Sequence, residues 1–438
     1  MRVDLSDELP PVGQQHGPSC GAWSVTYYHR TQVEWVERRG DLTDPRHQCS
    51  PTFTYNLLDG GRNEGVLPRD VTELMCRDGV TSVEEFPTTA PYWELPSENA
   101  YWQAMEFRSD SAYAMGVHDT ADISQVRQHL ANGYTCAFGV ACWTNFMLVS
   151  EFDNIYCLSQ VCGEFRGYHG VTIVGYDDTL TTADGPGAFR LVNQWGASWG
   201  DSGFCWISYV AAMSGQTSYG QAWFVTDRVA YEPTLVARVH VSHPYRRSVR
   251  FRVGVGSTAQ PTWSCDFPRG WGDQVDSFPA DDVVCDISDA ESLLVRTRQE
   301  TAFVACWDVK HDSLVGAIAK FRVEHLPTGR SFASNDPPVE MGDLGETAYA
   351  KVYVSLAGVE EPGQSPLSQR QAGANVVHGN LNIGAVRSAV LLDAAGRKVL
   401  EVRPGANDVS NLAPGVYFLR EARAQAQGQT VRKVVIPR

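Results

Sequence analysis

With 438 residues, of which 43% are hydrophobic and 20% charged, the chain is long enough for two or three packed domains and is neither disordered nor collagenous in composition. No apolar run reaches the length needed to cross a bilayer as a helix. The formal charge of −15 excludes a general nucleic-acid binder, which sets clustered Lys and Arg against phosphate.

In chain order, residues 3–13 read as an extended entry strand ended by Pro10-Pro11 and Gly13. The turn Gly17-Pro18-Ser19 then delivers Cys20 to the run AWSVTYYHRTQVEWVERR, which holds no Gly or Pro until Gly40. This predicts a long helix with Cys20 at its N-terminus. A thiol placed there is favoured as thiolate, because unpaired N–H groups and the positive dipole end face it. Ser50-Pro51 and Leu67-Pro68 open two short helices around the loop Gly60-Gly61-Arg62-Asn63-Glu64-Gly65. The passage from Phe86 to Trp102 reads as irregular, and ISQVRQHLANG as a helix with a Gly stop. TCAFGVACW, GYHGVTIVGY, GAFRLVNQW, FCWISY and QAWFVT then read as strands. Helices first and strands later predict a two-lobed α+β unit with a cleft between the lobes.

Two of these strands carry the partners a reactive cysteine needs. His169 lies in YHGVTIVGYDD and Asn193 in FRLVNQWGASWGDSGF. Cysteine, distant histidine, then asparagine is the order of nucleophile, base and orienter in nucleophilic acyl transfer. Gln14, shortly before Cys20, offers a side-chain amide that together with the Cys20 N–H could hold an oxyanion.

On these residues the chain resembles the papain-like cysteine peptidases: Gln14 with Cys20, Tyr168-His169-Gly170-Val171 before Val174-Gly175-Tyr176, and Asn193-Gln194-Trp195-Gly196 before Trp199-Gly200 and Gly203. The resemblance covers roughly residues 3–228 and departs at Gly21, where a tryptophan usually follows the nucleophile, and at Gly17, where a disulfide cysteine usually precedes it. It implies a papain-like catalytic domain of a helical lobe and a β-barrel lobe over residues 1–229. It further implies Cys20, His169, Asn193 and Gln14 as catalytic residues, and Asn63, Glu64, Gly65, Tyr168 and Trp195 as substrate-binding ones. Gly65 closes the glycine-rich wall of the cleft, and Trp195 shields the His–Asn hydrogen bond. A protein or peptide substrate is expected, with no metal and no organic cofactor. An inhibitory prosegment is also implied, and this sequence does not carry one.

Beyond residue 229 the pattern turns to short strands: ARVHVSHP, SVRFRVGVGS, DDVVCDISD, ESLLVRTR, TAFVACWDV and AKFRVEHL. They predict a β-sandwich or jelly roll over 230–356, loosely resembling the P-domain of secreted proteases. Asp281, Asp282, Asp286 and Asp289 there read as a solvated acidic face before a calcium site. Residues 357–375 have linker composition. Residues 376–438, with nine Lys and Arg against four Asp and Glu, read as a small β-sandwich. Its LLDAAGRKVL and LAPGVYFLR resemble the C-terminal sorting domains of bacterial type IX secretion. Setting Cys20 aside leaves an even number of cysteines, as disulfides in an exported protein would require. The expectation is a secreted or cell-surface bacterial endopeptidase, its export signal absent from this sequence. The rival readings are an exopeptidase and a catalytically silent papain-fold adhesin.

Overall fold

A computed structural model describes residues 1–228, 231–267, 277–297, 300–356, 375–376, 380–383, 388–392, 398–403, 405–409, 412, 415–422 and 429–436. Met1–Val359 forms one compact unit and Glu360–Arg438 another.

The first unit is built on a helix that begins at Cys20. Cys20–Ala22 is α-helical, Trp23–Arg30 winds as a π-helix, and Thr31–Arg38 returns to α. Every residue of Trp23–Arg30 is buried, so this helix is core on all sides and not amphipathic. It ends at Arg39 in the left-handed region, before Gly40. Helices Pro51–Asp59, capped by the Ser50 side chain on Phe53 N–H, and Pro68–Arg77 complete the helical lobe as expected. The Pro- and Tyr-rich passage is not wholly irregular. Ser97 caps a helix, Glu98–Glu106, which buries Ala100, Tyr101, Ala104 and Met105.

The second lobe is an eight-stranded sheet in the order Ser109–Gly116, Ser218–Asp227, Cys136–Cys142, Gly167–Thr182, Gly185–Val192, Phe204–Ser208 and Ile155–Tyr156, with Arg2–Asp4 added to Gly167–Thr182. The central pairing is antiparallel and sets Gly139 opposite Gly170 and Val140 opposite His169.

Residues 235–354 fold into two antiparallel sheets. Pro261–Phe267, Val249–Gly256, Glu300–Asp308 and Ala348–Val354 form one; Val283–Asp286, Leu235–Ser242, Gly316–His325 and Arg330–Ala333 form the other, with Val339–Met341 beside Gly316–His325. Their alternating buried residues share one core with Phe53, Leu57, Leu74 and Tyr101 of the helical lobe, so the sandwich is seated on that lobe. ESLLVRTR, expected as a strand, is instead the helix Glu291–Thr297 behind a 3-10 turn, with Leu294 turned into the core. The acidic residues considered for calcium are dispersed: Asp282 pairs with His240, Asp286 with Arg108, and Asp289 with Arg228.

All eleven cysteines are free, which departs from the expected disulfides. Cys49, Cys136, Cys142, Cys157, Cys205, Cys285 and Cys306 are buried, where each acts as a small apolar side chain. In the second unit a five-stranded sheet and a two-stranded one enclose Leu381, Leu391, Val402, Tyr417 and Leu419. The expected linker lies outside the described residues except for Asn375. No described helix is long and apolar enough to cross a membrane.

Candidate active site

The nucleophile candidate sits where helix and sheet touch. Ser19 Oγ donates to the His16 carbonyl (2.8 Å) and fixes the turn from which Cys20 enters the helix. Two glycines permit the approach. A Cβ on Gly170 would lie 3.1 Å from the Cys20 carbonyl oxygen and 3.0 Å from Ser24 Oγ; one on Gly21 would lie 2.2 Å from the Val66 carbonyl oxygen. The Gly21 departure from the family pattern thus lets the loop after Asp59 close directly onto the helix start.

His169 faces the Cys20 thiol closely enough for its hydrogen bonding and charge to act on it. Its Nε2 lies 2.8 Å from Asn193 Oδ1, which leaves Nδ1 for the sulfur. Burial by itself would raise the thiol, but the hydrogen bond and charge of His169, with the Gly170 and Gly21 backbone, hold Cys20 below its ordinary value. Asn193 is fully buried and its Oδ1 also accepts the Gln194 N–H at 2.9 Å. Trp195 covers this pair, its ring 4.5 Å from that of His169, and Trp199 and Phe146 pack on Trp195 at 5.5 and 5.8 Å.

Gln14 is placed by backbone. It bridges to Trp195, while Gln15 N–H donates to Gln194 O (2.8 Å) and Gly196 N–H to Gly13 O (3.0 Å). A Cβ on Gly196 would lie 2.7 Å from Gln14 Oε1, so the Gln14 side chain lies across that glycine.

Asn63, Glu64 and Gly65 form the turn the sequence indicated, but their N–H groups point inward. Asn63 donates to Asp59 Oδ2 (2.6 Å), and Glu64 and Gly65 to Asp59 Oδ1 (2.8 and 3.2 Å). Asp59 was not singled out from the sequence. Its one signal is position, a carboxylate directly before Gly60-Gly61. Gln194 was also missed: its amide donates to the Gly170 carbonyl (2.6 Å) and to Gln15 Oε1 (3.1 Å), which locks the His169 strand to the Gln14 segment. Tyr168 is 60% exposed and heads an aromatic row with Phe165 at 5.4 Å and Tyr219 at 5.6 Å. The structure thus gathers Cys20, His169, Asn193 and Trp195 at one point. The remaining histidines are elsewhere. His29 is buried and held down to about 3 by burial, His129 and Arg30, and its Nε2 accepts the Val225 N–H (2.8 Å).

The sequence profile of the family described as "Papain family cysteine protease" matches residues 52–221. That span contains His169 and Asn193 and begins after Gln14 and Cys20, whose place here rests on the geometry. Peptidase 1 of Dermatophagoides farinae is 22% identical over 206 residues, 45% of this chain and 56% of that protein. The chain thus spans little more than half the length of that curated relative. Among solved structures, xylellain, a cysteine protease from Xylella fastidiosa, is 22% identical with a TM-score of 0.42, over 51% of this chain and 85% of that one. The bromelain protease of Ananas comosus is 15% identical with a TM-score of 0.39, over 51% and 98%. Residues 52–221 are therefore similar to the papain family of cysteine proteases.

Proposed function

We propose that the chain is an endopeptidase in which Cys20, His169 and Asn193 act as nucleophile, base and orienter. His169 Nδ1 takes the thiol proton and the sulfur attacks the scissile carbonyl carbon. The resulting oxyanion is held by the Cys20 N–H and the Gln14 amide. The imidazolium then protonates the leaving amine, the C–N bond breaks, and a thioester remains. Water attacks that thioester with His169 as base, releasing the acid and restoring the thiol. Asn193 keeps the ring turned toward sulfur, and Trp195 keeps water from the Nε2 bond. Tyr168 and the Asn63-Glu64-Gly65 turn flank a substrate lying across Cys20. Because the N–H groups of that turn are held by Asp59, its carbonyl edge is what remains to pair with an extended peptide.

The observation that carries this reading is the meeting of Cys20, His169 and Asn193: the His169 ring is held by Asn193 Oδ1 at 2.8 Å and acts on the Cys20 thiol. An irreversible thiol-directed epoxide should abolish hydrolysis of a denatured protein substrate with one adduct, located at Cys20 by mass spectrometry. Cys20→Ser should lose at least about a thousandfold in kcat/KM. Full turnover by that variant, or inactivation through a different cysteine, overturns the assignment.

Export and the sorting role of the tail belong to the same proposal. With the eleven thiols free, their support is the LLDAAGRKVL and LAPGVYFLR resemblance and the positive tail. Residues 375–438 fused to an inert periplasmic reporter should carry it to the surface of a host with type IX secretion. A reporter retained in the periplasm removes that part of the proposal and leaves the chemistry untouched.

A further inference from the structure

Beneath the candidate active site, one buried oxygen joins the three chain segments that carry its groups. Tyr28 lies in the π-wound stretch Trp23–Arg30 of the helix that Cys20 begins, and it is fully buried. Its hydroxyl accepts the Gly13 N–H (3.0 Å) and donates to the Asn193 backbone carbonyl (3.0 Å). A phenol can serve both ways at once, and burial pushes its pKa up, so the proton stays on oxygen for Asn193. Gly13 directly precedes Gln14, and Asn193 directly follows the strand Gly185–Val192. The nucleophile's helix, the oxyanion donor's segment and the orienter's strand end therefore meet at Tyr28 Oη.

Asn193 needs such a hold. Its Oδ1 receives His169 Nε2 and the Gln194 N–H, but its Nδ2 is buried without a hydrogen-bond partner. The amide is not anchored at its nitrogen end, so its position follows its backbone. That backbone is tied through its N–H to the Gly203 carbonyl (2.9 Å) and through its carbonyl to Tyr28. Gly13 is seated on the same helix: a Cβ there would lie 2.1 Å from Trp23 Cζ3, and nearby Tyr27 Oη donates to the Pro11 carbonyl (2.9 Å). Without the Tyr28 hydroxyl, the Gly13 N–H and the Asn193 carbonyl would be left unpaired in a dry interior, and both segments would shift to find other partners.

Resting on the roles assigned above to Cys20, His169 and Asn193, we propose that Tyr28 is a positioning residue for the reaction. It sets Asn193, and through Asn193 the His169 ring, and it sets Gln14, all relative to the helix that carries Cys20. Its hydroxyl bonds backbone groups, so it acts through the residues it holds. The cost of losing it falls on the chemical step, because a displacement of about 1 Å among reacting groups can cost on the order of a hundredfold in rate. Binding of the substrate is spared, since Tyr168 and the Asn63-Glu64-Gly65 turn belong to other segments.

The test is Tyr28→Phe in the full chain, which removes one oxygen and keeps the ring packed on Tyr27 (5.1 Å). Rates are taken per active site, counted by labelling Cys20 with the thiol-directed epoxide, so that any unfolded fraction drops out. For a peptide substrate kcat should fall about ten- to a hundredfold, with KM within about twofold. In a Gln14→Ala, Asn193→Ala background both positioned side chains are gone, and there Tyr28→Phe should cost less than about threefold. Should Tyr28→Phe not fold, Tyr28→4-fluorophenylalanine, which fills the hydroxyl's space without its proton, carries the same comparison. A kcat per labelled site within about twofold of wild type, or an equal loss in both backgrounds, overturns the proposal and leaves Tyr28 a core residue only. Those results leave the peptidase reading standing; a wild type that is not labelled at Cys20 overturns both.

Discussion

Two opposing effects meet at Cys20. Burial favours the neutral thiol, while the His169 hydrogen bond and charge favour the thiolate, and the balance lies below the ordinary value. A group with a depressed pKa gains its charged form as pH rises through the lowered value, so alkylation of Cys20 should begin at lower pH than that of a free cysteine, near 8.5. In His169→Ala both favourable contributions are lost and the midpoint should move up past that value, since burial remains. Iodoacetamide rates against pH, resolved by peptide, would show this. They also separate Cys20 from buried Cys49 and half-buried Cys76, pushed up by burial to about 12 and about 11, and from the exposed Cys162. An unchanged midpoint in the variant would mean that His169 does not govern the thiol. Cys20, His169 and Asn193 were legible in the sequence because the chemistry demands those residue types in that order. Asp59 was not, since a carboxylate that serves only backbone N–H groups carries no mark of its partners.

At the scale of elements, the backbone of residues 63–65 is held from beneath by the Asp59 carboxylate. Asp59 is 2% exposed and receives three N–H groups, each a charge-assisted bond. Asp59→Ala should release the turn and raise KM for a peptide by roughly tenfold or more, given about 1.5–3 kcal/mol for each hydrogen bond to a charged group. Maximal turnover should stay within about threefold, because Cys20 and His169 do not touch Asp59; a lost kcat with KM unchanged would place Asp59 in the chemistry instead. Elements with strong local punctuation were readable from the chain. Ser50-Pro51 starts a helix at Pro51, and alternation along GAIAKFRVEH marks the strand Gly316–His325. Three features were not. The π-winding of Trp23–Arg30 comes from tertiary packing on all sides of the helix. Glu98–Glu106 hid its helix behind aromatic residues of indifferent propensity, and the apolar LLV of Glu291–Thr297 fits a strand or one helical turn equally well.

At the scale of the whole molecule, the sequence marks a change of pattern near residue 229, but the packing from Met1 to Val359 is continuous. The apolar residues that join helical lobe and sandwich look from the sequence like two separate cores, because nothing local records that Phe53 and Val253 share one. A buried ion pair crosses the same seam. Arg108 Nη1 donates to Asp286 Oδ2 (2.7 Å), Tyr231 Oη donates to the same oxygen (2.6 Å), and Arg108 Nε and Nη2 donate to the Cys76 carbonyl (3.1 and 2.9 Å). Both charges are nearly sealed, Arg108 at 5% and Asp286 at 7% exposure. Breaking such a pair from one side leaves an uncompensated buried charge and costs about 3–5 kcal/mol, whereas replacing both partners by apolar residues is often neutral. Arg108→Met should therefore lower the unfolding free energy of the Met1–Val359 unit by that amount, read as a lower urea midpoint, and Arg108→Met with Asp286→Leu should recover most of it. Because the core is shared, tryptophan fluorescence and loss of peptidase activity should move together in both variants. If Arg108→Met unfolded the sandwich while peptide hydrolysis persisted, the two parts would be independent domains and the shared core would not couple them.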